Sequence, residues 1–389
     1  MNLMEKDKKY VANTYKRFPV CLVKGEGSVV YDENGKRYID MGSGIGVTSF
    51  GIADAKWQEA VTRQLGTLQH SSNLYYTEPC VRLAELLCEK TGMKKVFYAN
   101  SGAEANENGI KAIRKYAAEH KGKEYYTIIT LENSFHGRTL TTLAATGQDV
   151  FHKLYQPLTP GFISVPVDLN AVEEAVRDNK IAGIMMECIQ GEGGVKALDE
   201  DFVKGVAELC RREDLVLLCD EVQSGNGRSG YMYSYMHYGI EPDVVTTAKG
   251  LAGGLPIGAC LLNTRLKDIF GPGDLGSTFG GNPVACAGGV SIVERIDDDF
   301  LKEVTEKGKY LFDTFSNAEG IKNVSGMGLM MGLETEKPVG ELAAELIEKG
   351  VLVLTAKDKL RLLPALNISM ELLKEAAEII IEACRPEAE

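Results

Sequence analysis

The sequence predicts an α/β protein: a mostly parallel sheet with helices on its faces, followed by a smaller α+β unit. Three observations carry that prediction. Six short apolar runs lie between residues 95 and 262 without polar alternation, as strands covered on both faces do. Helical stretches separate those runs. From about residue 290 the order changes to helix, strand, helix, strand, strand, helix.

Taken in order, the first 48 residues hold one hairpin. Val29 to Tyr31 is β-prone, Asn34-Gly35 is a turn pair, and Lys36 to Ile39 is the return strand. The buried-strand candidates are Lys95 to Ala99, Tyr126 to Thr130, Gly183 to Glu187, Leu215 to Cys219, Val244 to Thr247 and Gly258 to Leu262. Asp274 to Gly289, rich in glycine and small residues, reads as a boundary loop leading into a long helix. The glycine- and methionine-rich stretch 326–332 reads as a single strand of the small unit. Met370 to Arg385 reads as the last helix, with apolar residues at 372, 376, 379 and 380 and Ser369 as its N-cap. The expected division is residues 1–48 joining the small unit, 49–280 the large domain and 281–389 the small one.

Composition narrows the function. The 389 residues are 44% hydrophobic and 25% charged, which excludes a disordered chain or a coiled coil. The formal charge of −12 and the lack of a basic run fit nucleic acid poorly. No apolar run approaches the length of a membrane span, and Met1 to Tyr10 lacks a signal peptide's apolar core. Nine cysteines, with no C-x-x-C pair and several inside apolar runs, are expected to be reduced in a cytoplasmic protein.

Chemistry concentrates at strand ends. The run Leu215 to Cys219 is followed by Asp220, a carboxylate at the edge where open α/β sheets place their ligand crevice. Lys249 follows another buried run 29 residues later, about one crossover unit, so the two side chains should emerge on one edge. Alone, the pair reads first as an acid and an ordinary surface lysine at strand ends. The segment Asn100 to Asn106 follows a strand and opens a helix, whose N-terminal amides make an anion site. Ser101 and Glu104 also fit a capping box, and both readings hold together. Phe135-His136-Gly137-Arg138-Thr139 puts an aromatic and an arginine beyond another strand, suited to a flat ring and a carboxylate.

Six ordered motifs then point one way: Ser101-Gly102-Ala103, Phe135 to Thr139, Gln190-Gly191-Glu192-Gly193-Gly194, Asp220-Glu221-Val222-Gln223, Lys249-Gly250 and Gly280-Gly281-Asn282-Pro283. From about Asn13 to the C-terminal helix the chain resembles the class III, ornithine-type aminotransferases, enzymes that use pyridoxal 5′-phosphate (PLP). Asn13-Thr14-Tyr15, Leu74 to Pro79 and Leu360 to Pro364 are similar to the acetylornithine-type subgroup. The resemblance implies PLP-dependent fold type I, aspartate-aminotransferase-like, with a seven-stranded, mostly parallel sheet. It implies amino transfer from N2-acetylornithine to 2-oxoglutarate, giving N-acetylglutamate 5-semialdehyde and glutamate, a step of arginine biosynthesis. Ornithine, succinylornithine and 4-aminobutyrate are the competing donors.

The roles it implies are as follows. Lys249 holds PLP covalently and moves the proton; burial would lower its pKa, which suits both tasks. Asp220 keeps the ring nitrogen protonated. Gln223 donates to the ring's phenolate oxygen and Phe135 stacks on the ring. Ser101, Gly102 and Ala103 cradle the phosphate, and Thr278 reaches the phosphate of the neighbouring subunit, which implies a homodimer with shared sites. Arg138 binds the distal carboxylate of the substrate and Arg361 the α-carboxylate. Glu192 pairs with Arg361 for one substrate and releases it for the other. No metal is implied: the five histidines show no ligand spacing.

The chain departs from the family's pattern in places. Glu187-Cys188 stands where relatives have Glu-Pro, and Gly51-Ile52-Ala53-Asp54-Ala55 replaces a Gly-His-x-His-Pro stretch. Asn226 replaces an apolar residue and is expected near the site entrance. His136 is expected to be loop scaffold, and the aromatic run 231–238 a packing or interface surface. Gly225 to Gly230 fits G-x-G-x-x-G, but Asp220 to Ser224 separate it from the strand, against a nicotinamide site. Such an oxidoreductase, or a silent PLP-binding protein, are the alternatives of other classes.

Overall fold

A computed structural model describes residues 1–386. Its centre is a seven-stranded sheet in the spatial order Lys95–Ala99, Gly258–Leu262, Val244–Thr247, Val216–Asp220, Ile181–Met186, Thr127–Leu131, Phe162–Val165. Only Gly258–Leu262 runs antiparallel to its neighbours. The strand Phe162–Val165, at the edge, is one the sequence reading passes over; it is short and only partly buried.

Alternation explains why the central strands are apolar throughout. Val216 and Leu218 face the helix Gly102–His120 through Ile110, Ile113 and Ala117. Leu217 and Cys219 face the opposite layer with Phe202, Val203 and Val206 of the helix Glu200–Arg212 and Leu83 and Leu87 of Glu78–Thr91. With both faces covered, no position is left for a polar residue until the strand ends.

The segment expected as a loop leading into one long helix is two helices. Asn282 caps the first, Pro283–Val293, by accepting from the Val284 and Ala285 amides, and Pro283 supplies the preset φ of a first turn. Its glycines are contact surfaces: a Cβ on Gly289 would lie 2.7 Å from Leu83 Cδ2. This helix packs with the large core, so the expected division at 280/281 falls just before it. The second helix, Asp298–Ser316, opens the small unit.

That unit is an antiparallel sheet, Ile321–Met327, Met330–Thr335, Lys359–Leu362 and Leu354–Ala356, packed on Asp298–Ser316, Val339–Glu348 and Met370–Cys384. The stretch 326–332 is a hairpin rather than one strand, turning at Gly328 with φ +57. Ser369 caps the last helix, accepting from the Leu372 amide. The N-terminal hairpin, Val29–Asp32 and Arg37–Asp40, joins the strand Val351–Leu352 in parallel, which ties the chain's beginning to the small unit. Among the described residues no helix is long and apolar enough to cross a membrane.

Candidate active site

The parallel strands end on one edge, and the antiparallel strand Gly258–Leu262 begins there. Along that edge lies a cavity of about 430 Å³, lined by Ser101, Gly102, Ala103, Phe135, His136, Arg138, Glu187, Asp220, Gln223 and Lys249, with Val47 and Leu255–Ile257 completing the wall. Residues separated by some 150 positions thus meet because each follows a strand of the same sheet.

Asp220 is the last residue of its strand and is 3% exposed. Its Oδ2 accepts from Asn106 Nδ2 at 2.7 Å and lies 2.8 Å from His136 Nδ1; Oδ1 accepts from the Val222 amide at 3.0 Å. A carboxylate only accepts, so this contact fixes His136 as the Nδ1–H tautomer. Three donors on four acceptor sites leave one for a ring N–H in the cavity. Thr246 Oγ1 in turn donates to Asn106 Oδ1 at 2.5 Å. His136, expected as scaffold, therefore bears directly on the acid, and its buried Nε2 has no partner among the described residues. Asn106 is a further residue the sequence reading misses; its only signal is a position one helical turn inside the capped helix.

Lys249 stands two residues past Val244–Thr247 with φ +45, a left-handed conformation that a lysine keeps only where packing enforces it. Asn226 supplies part of that enforcement. Its Nδ2 donates to Thr247 Oγ1 at 2.9 Å and to the Ala248 carbonyl at 3.1 Å. Asn226 is 1% exposed, so it lies beneath the strand end and not at the site entrance as expected. Burial lowers the Lys249 pKa; Arg361 pushes the same way, while Glu192, Asp220 and Glu187 oppose.

Ser101 caps the helix Gly102–His120 by accepting from the Glu104 amide at 3.1 Å. Gly102 and Ala103 line the cavity in the helix's first turn, where helix geometry offers their amides no acceptor. A Cβ on Gly102 would lie 2.6 Å from Val222 Cγ1, so a larger residue closes this corner. The cradle, the spare acceptor on Asp220 and the amine of Lys249 fit a phosphorylated heterocyclic aldehyde such as PLP. Phe135 is half-buried. Arg138 is exposed, with its guanidinium 4.0 Å from the Phe151 ring centroid and 5.4 Å from that of Phe135. It makes no ion pair with the described residues.

Arg361 and Glu192 stand behind the cavity, joined to it by Gln223. Arg361 Nη1 lies 2.5 Å from Glu192 Oε1 and donates to Gln223 Oε1 at 3.1 Å. Burial alone would raise the Glu192 pKa, but the Arg361 cation holds it below the ordinary value. A Cβ on Gly191 would lie 2.4 Å from Gln223 Oε1, which explains the glycine beside the acid. Thr278 is exposed in a turn outside the cavity, and the structure does not bring it to the other residues of its own chain. Burial pushes the Glu187 carboxyl up to about 7; His136 pulls it down and Asp220 adds repulsion.

The departures find places too. Asp54 caps Ala55–Thr67 and pairs with Arg295 at 2.8 Å. The Cys188 carbonyl accepts from the Leu198 amide at 3.0 Å. Gly225 to Gly230 form turns with no helix opening on them, unlike a dinucleotide fingerprint, and Tyr233, Tyr235 and Tyr238 are buried packing.

The family model for aminotransferase class III matches residues 10–384. The chain is 47% identical to acetylornithine aminotransferase of Haemophilus ducreyi over 379 residues, 97% of this chain and 96% of that one. It is 46% identical to acetylornithine aminotransferase of Methanocaldococcus jannaschii over 378 residues, 95% and 94% of the two chains. Among solved structures it is similar to an ornithine aminotransferase of Toxoplasma gondii with PLP at partial occupancy in its active site. That match has a TM-score of 0.93 and 30% identity, covering 98% of this chain and 93% of that one.

Proposed function

The chain belongs to the class III aminotransferases and is an amino-transferring enzyme; from that premise we propose a PLP-dependent acetylornithine aminotransferase acting in arginine biosynthesis. N2-acetylornithine would give its δ-amine, 2-oxoglutarate would accept it, and the products would be N-acetylglutamate 5-semialdehyde and glutamate. The relatives that share this chain's full length support the donor. PLP, when bound, supplies an electron sink that makes the proton on the amine-bearing carbon removable.

The chain's own residues do the rest. Lys249 would anchor the aldehyde and, with its pKa lowered, its amine would serve as the proton carrier. Asp220, fixed by His136 and Asn106, holds a proton on the ring nitrogen. Ser101, Gly102 and Ala103 take the phosphate, Phe135 covers the ring and Gln223 meets its oxygen. Arg138, without an ion pair among the described residues, would take the carboxylate far from the reacting amine. The Glu192–Arg361 pair keeps a neutral wall for the ω-amine and opens to present Arg361 to the second carboxylate of 2-oxoglutarate.

Thr278 would complete the partner's phosphate site in a homodimer. The exposed Leu74, Tyr75 and Tyr76 (87, 73 and 99%) and Phe279 (61%) next to it suit a surface that a second copy covers. Nine free cysteines suit the reducing cytoplasm.

The observation that carries the reading is the common cavity of Lys249 and Asp220. The test adds acetylornithine, ornithine or 4-aminobutyrate to purified enzyme and follows the cofactor's visible band. The band should fade fastest with acetylornithine and return with 2-oxoglutarate. Faster fading with 4-aminobutyrate would overturn the donor, and a colourless protein after PLP addition would overturn the cofactor.

A further inference from the structure

Glu187 is an unusual residue to bury. It follows the strand Ile181–Met186, is 5% exposed, lines the cavity and makes no ion pair among the described residues. A buried carboxylate without a cation is retained only where hydrogen bonds compensate it. Two do so here. Its Oε1 accepts from the Phe135 amide at 2.8 Å and its Oε2 from the Gly191 amide at 3.2 Å.

Those amides belong to different segments. One is the loop after Thr127–Leu131, whose side chain at 135 faces the cavity. The other is the turn whose next residue is Glu192, partner of Arg361. The segments already lie against each other: Gln190 Nε2 donates to the Glu132 carbonyl at 2.9 Å, and a Cβ on Gly193 would lie 2.6 Å from the Asn133 carbonyl. These contacts set how closely the segments approach. Glu187 ties together the backbone amide of Phe135 itself and that of Gly191, the residue before Glu192.

We infer that Glu187 is a positioning residue for amino transfer: one buried carboxylate registers the Phe135 loop with the Glu192 turn, so that the aromatic cover and the carboxylate gate move as one. The inference rests on the roles proposed above for Phe135 and Glu192. It also separates the two jobs in this corner of the site. Asp220 would meet the ring itself, while Glu187 acts only through the backbone of its neighbours.

Two variants test it in the holoenzyme and the cofactor-free protein. Glu187→Gln keeps the volume but offers one acceptor oxygen for two amides. Glu187→Asp keeps the carboxyl group but is one methylene short of spanning both. In both variants hydrogen exchange at the Phe135 or Gly191 amide should quicken at least about tenfold, with exchange in the central strands unchanged. In the holoenzymes the KM for 2-oxoglutarate should rise about tenfold, more than that for the amino donor. The visible circular dichroism of the bound cofactor should weaken at unchanged cofactor content. Wild-type exchange at both amides would overturn the inference. So would loss of protection throughout the sheet, which would mark a folding role, or full recovery of the KM ratio in Glu187→Asp. If wild-type protein fails to transaminate, the functional reading falls, and exchange in the cofactor-free protein still decides the clamp.

Discussion

Lys249 and Glu187 show how much one burial site can shift. Replacing Lys249 by alanine removes both the anchor and the proton carrier. Turnover should drop about a thousandfold or more, with the fold unchanged by circular dichroism; near wild-type turnover would refute its role. Glu187 makes a pH prediction. The folded carboxyl keeps its proton up to about pH 7, whereas an unfolded one releases it near the ordinary glutamate value of 4.5. Between those values the folded protein binds more protons. Stability is therefore fully present below the lower value and is lost as pH rises to about 7, by up to about 3 kcal/mol. Denaturant midpoints of the cofactor-free protein between pH 4.5 and 8 should fall over that window, and Glu187→Gln should flatten the fall.

At the scale of elements, two positions connect local chemistry to the site. Gly102 opens the helix Gly102–His120 beneath Val222. A methyl there displaces Val222 or the helix end, so Gly102→Ala should weaken cofactor retention about tenfold, read by dialysis and absorbance. Asn282 caps the helix Pro283–Val293 with two amide bonds. Asn282→Ala should cost about 1 kcal/mol of stability in denaturant unfolding. These elements also show what a linear reading sees. Helix caps at Ser101 and Ser369 are local patterns and stand as expected, but the Glu104 carboxylate accepts from the Asn100 amide and does not close a capping box on Ser101. The helix Pro283–Val293 was hidden because its paired glycines, disfavoured by propensity, lie in close contact with Trp57 and Leu83.

At the scale of the whole molecule, Leu74, Tyr75 and Tyr76 stand exposed on the surface. If Leu74, Tyr75 and Tyr76 are covered by a second copy, Tyr76→Asp places a charge in that surface. The dissociation constant of the dimer should rise at least about a hundredfold in sedimentation measurements, with activity falling in step. An unchanged assembly would place the interface elsewhere. Within one chain the two units are joined by Arg228, which is fully buried and donates from Nη1 to the carbonyls of Leu329 and Pro364. Its burial lowers its pKa to about 9. The loop just after Gln223 is thereby held to the segment just after Arg361.

Fold class, the strand ends that bear Asp220 and Lys249, and the ordered motifs of the family are legible in the linear chain, because apolar runs, caps and turn residues act over a few positions. Tertiary structure alone decided the pairing of His136 and Asn106 with Asp220, the place of Asn226 beneath Lys249, and the bridge that Glu187 makes between two loops. Each of these joins segments far apart in the chain, and a hydrogen bond across such a distance leaves no periodicity in the sequence to read.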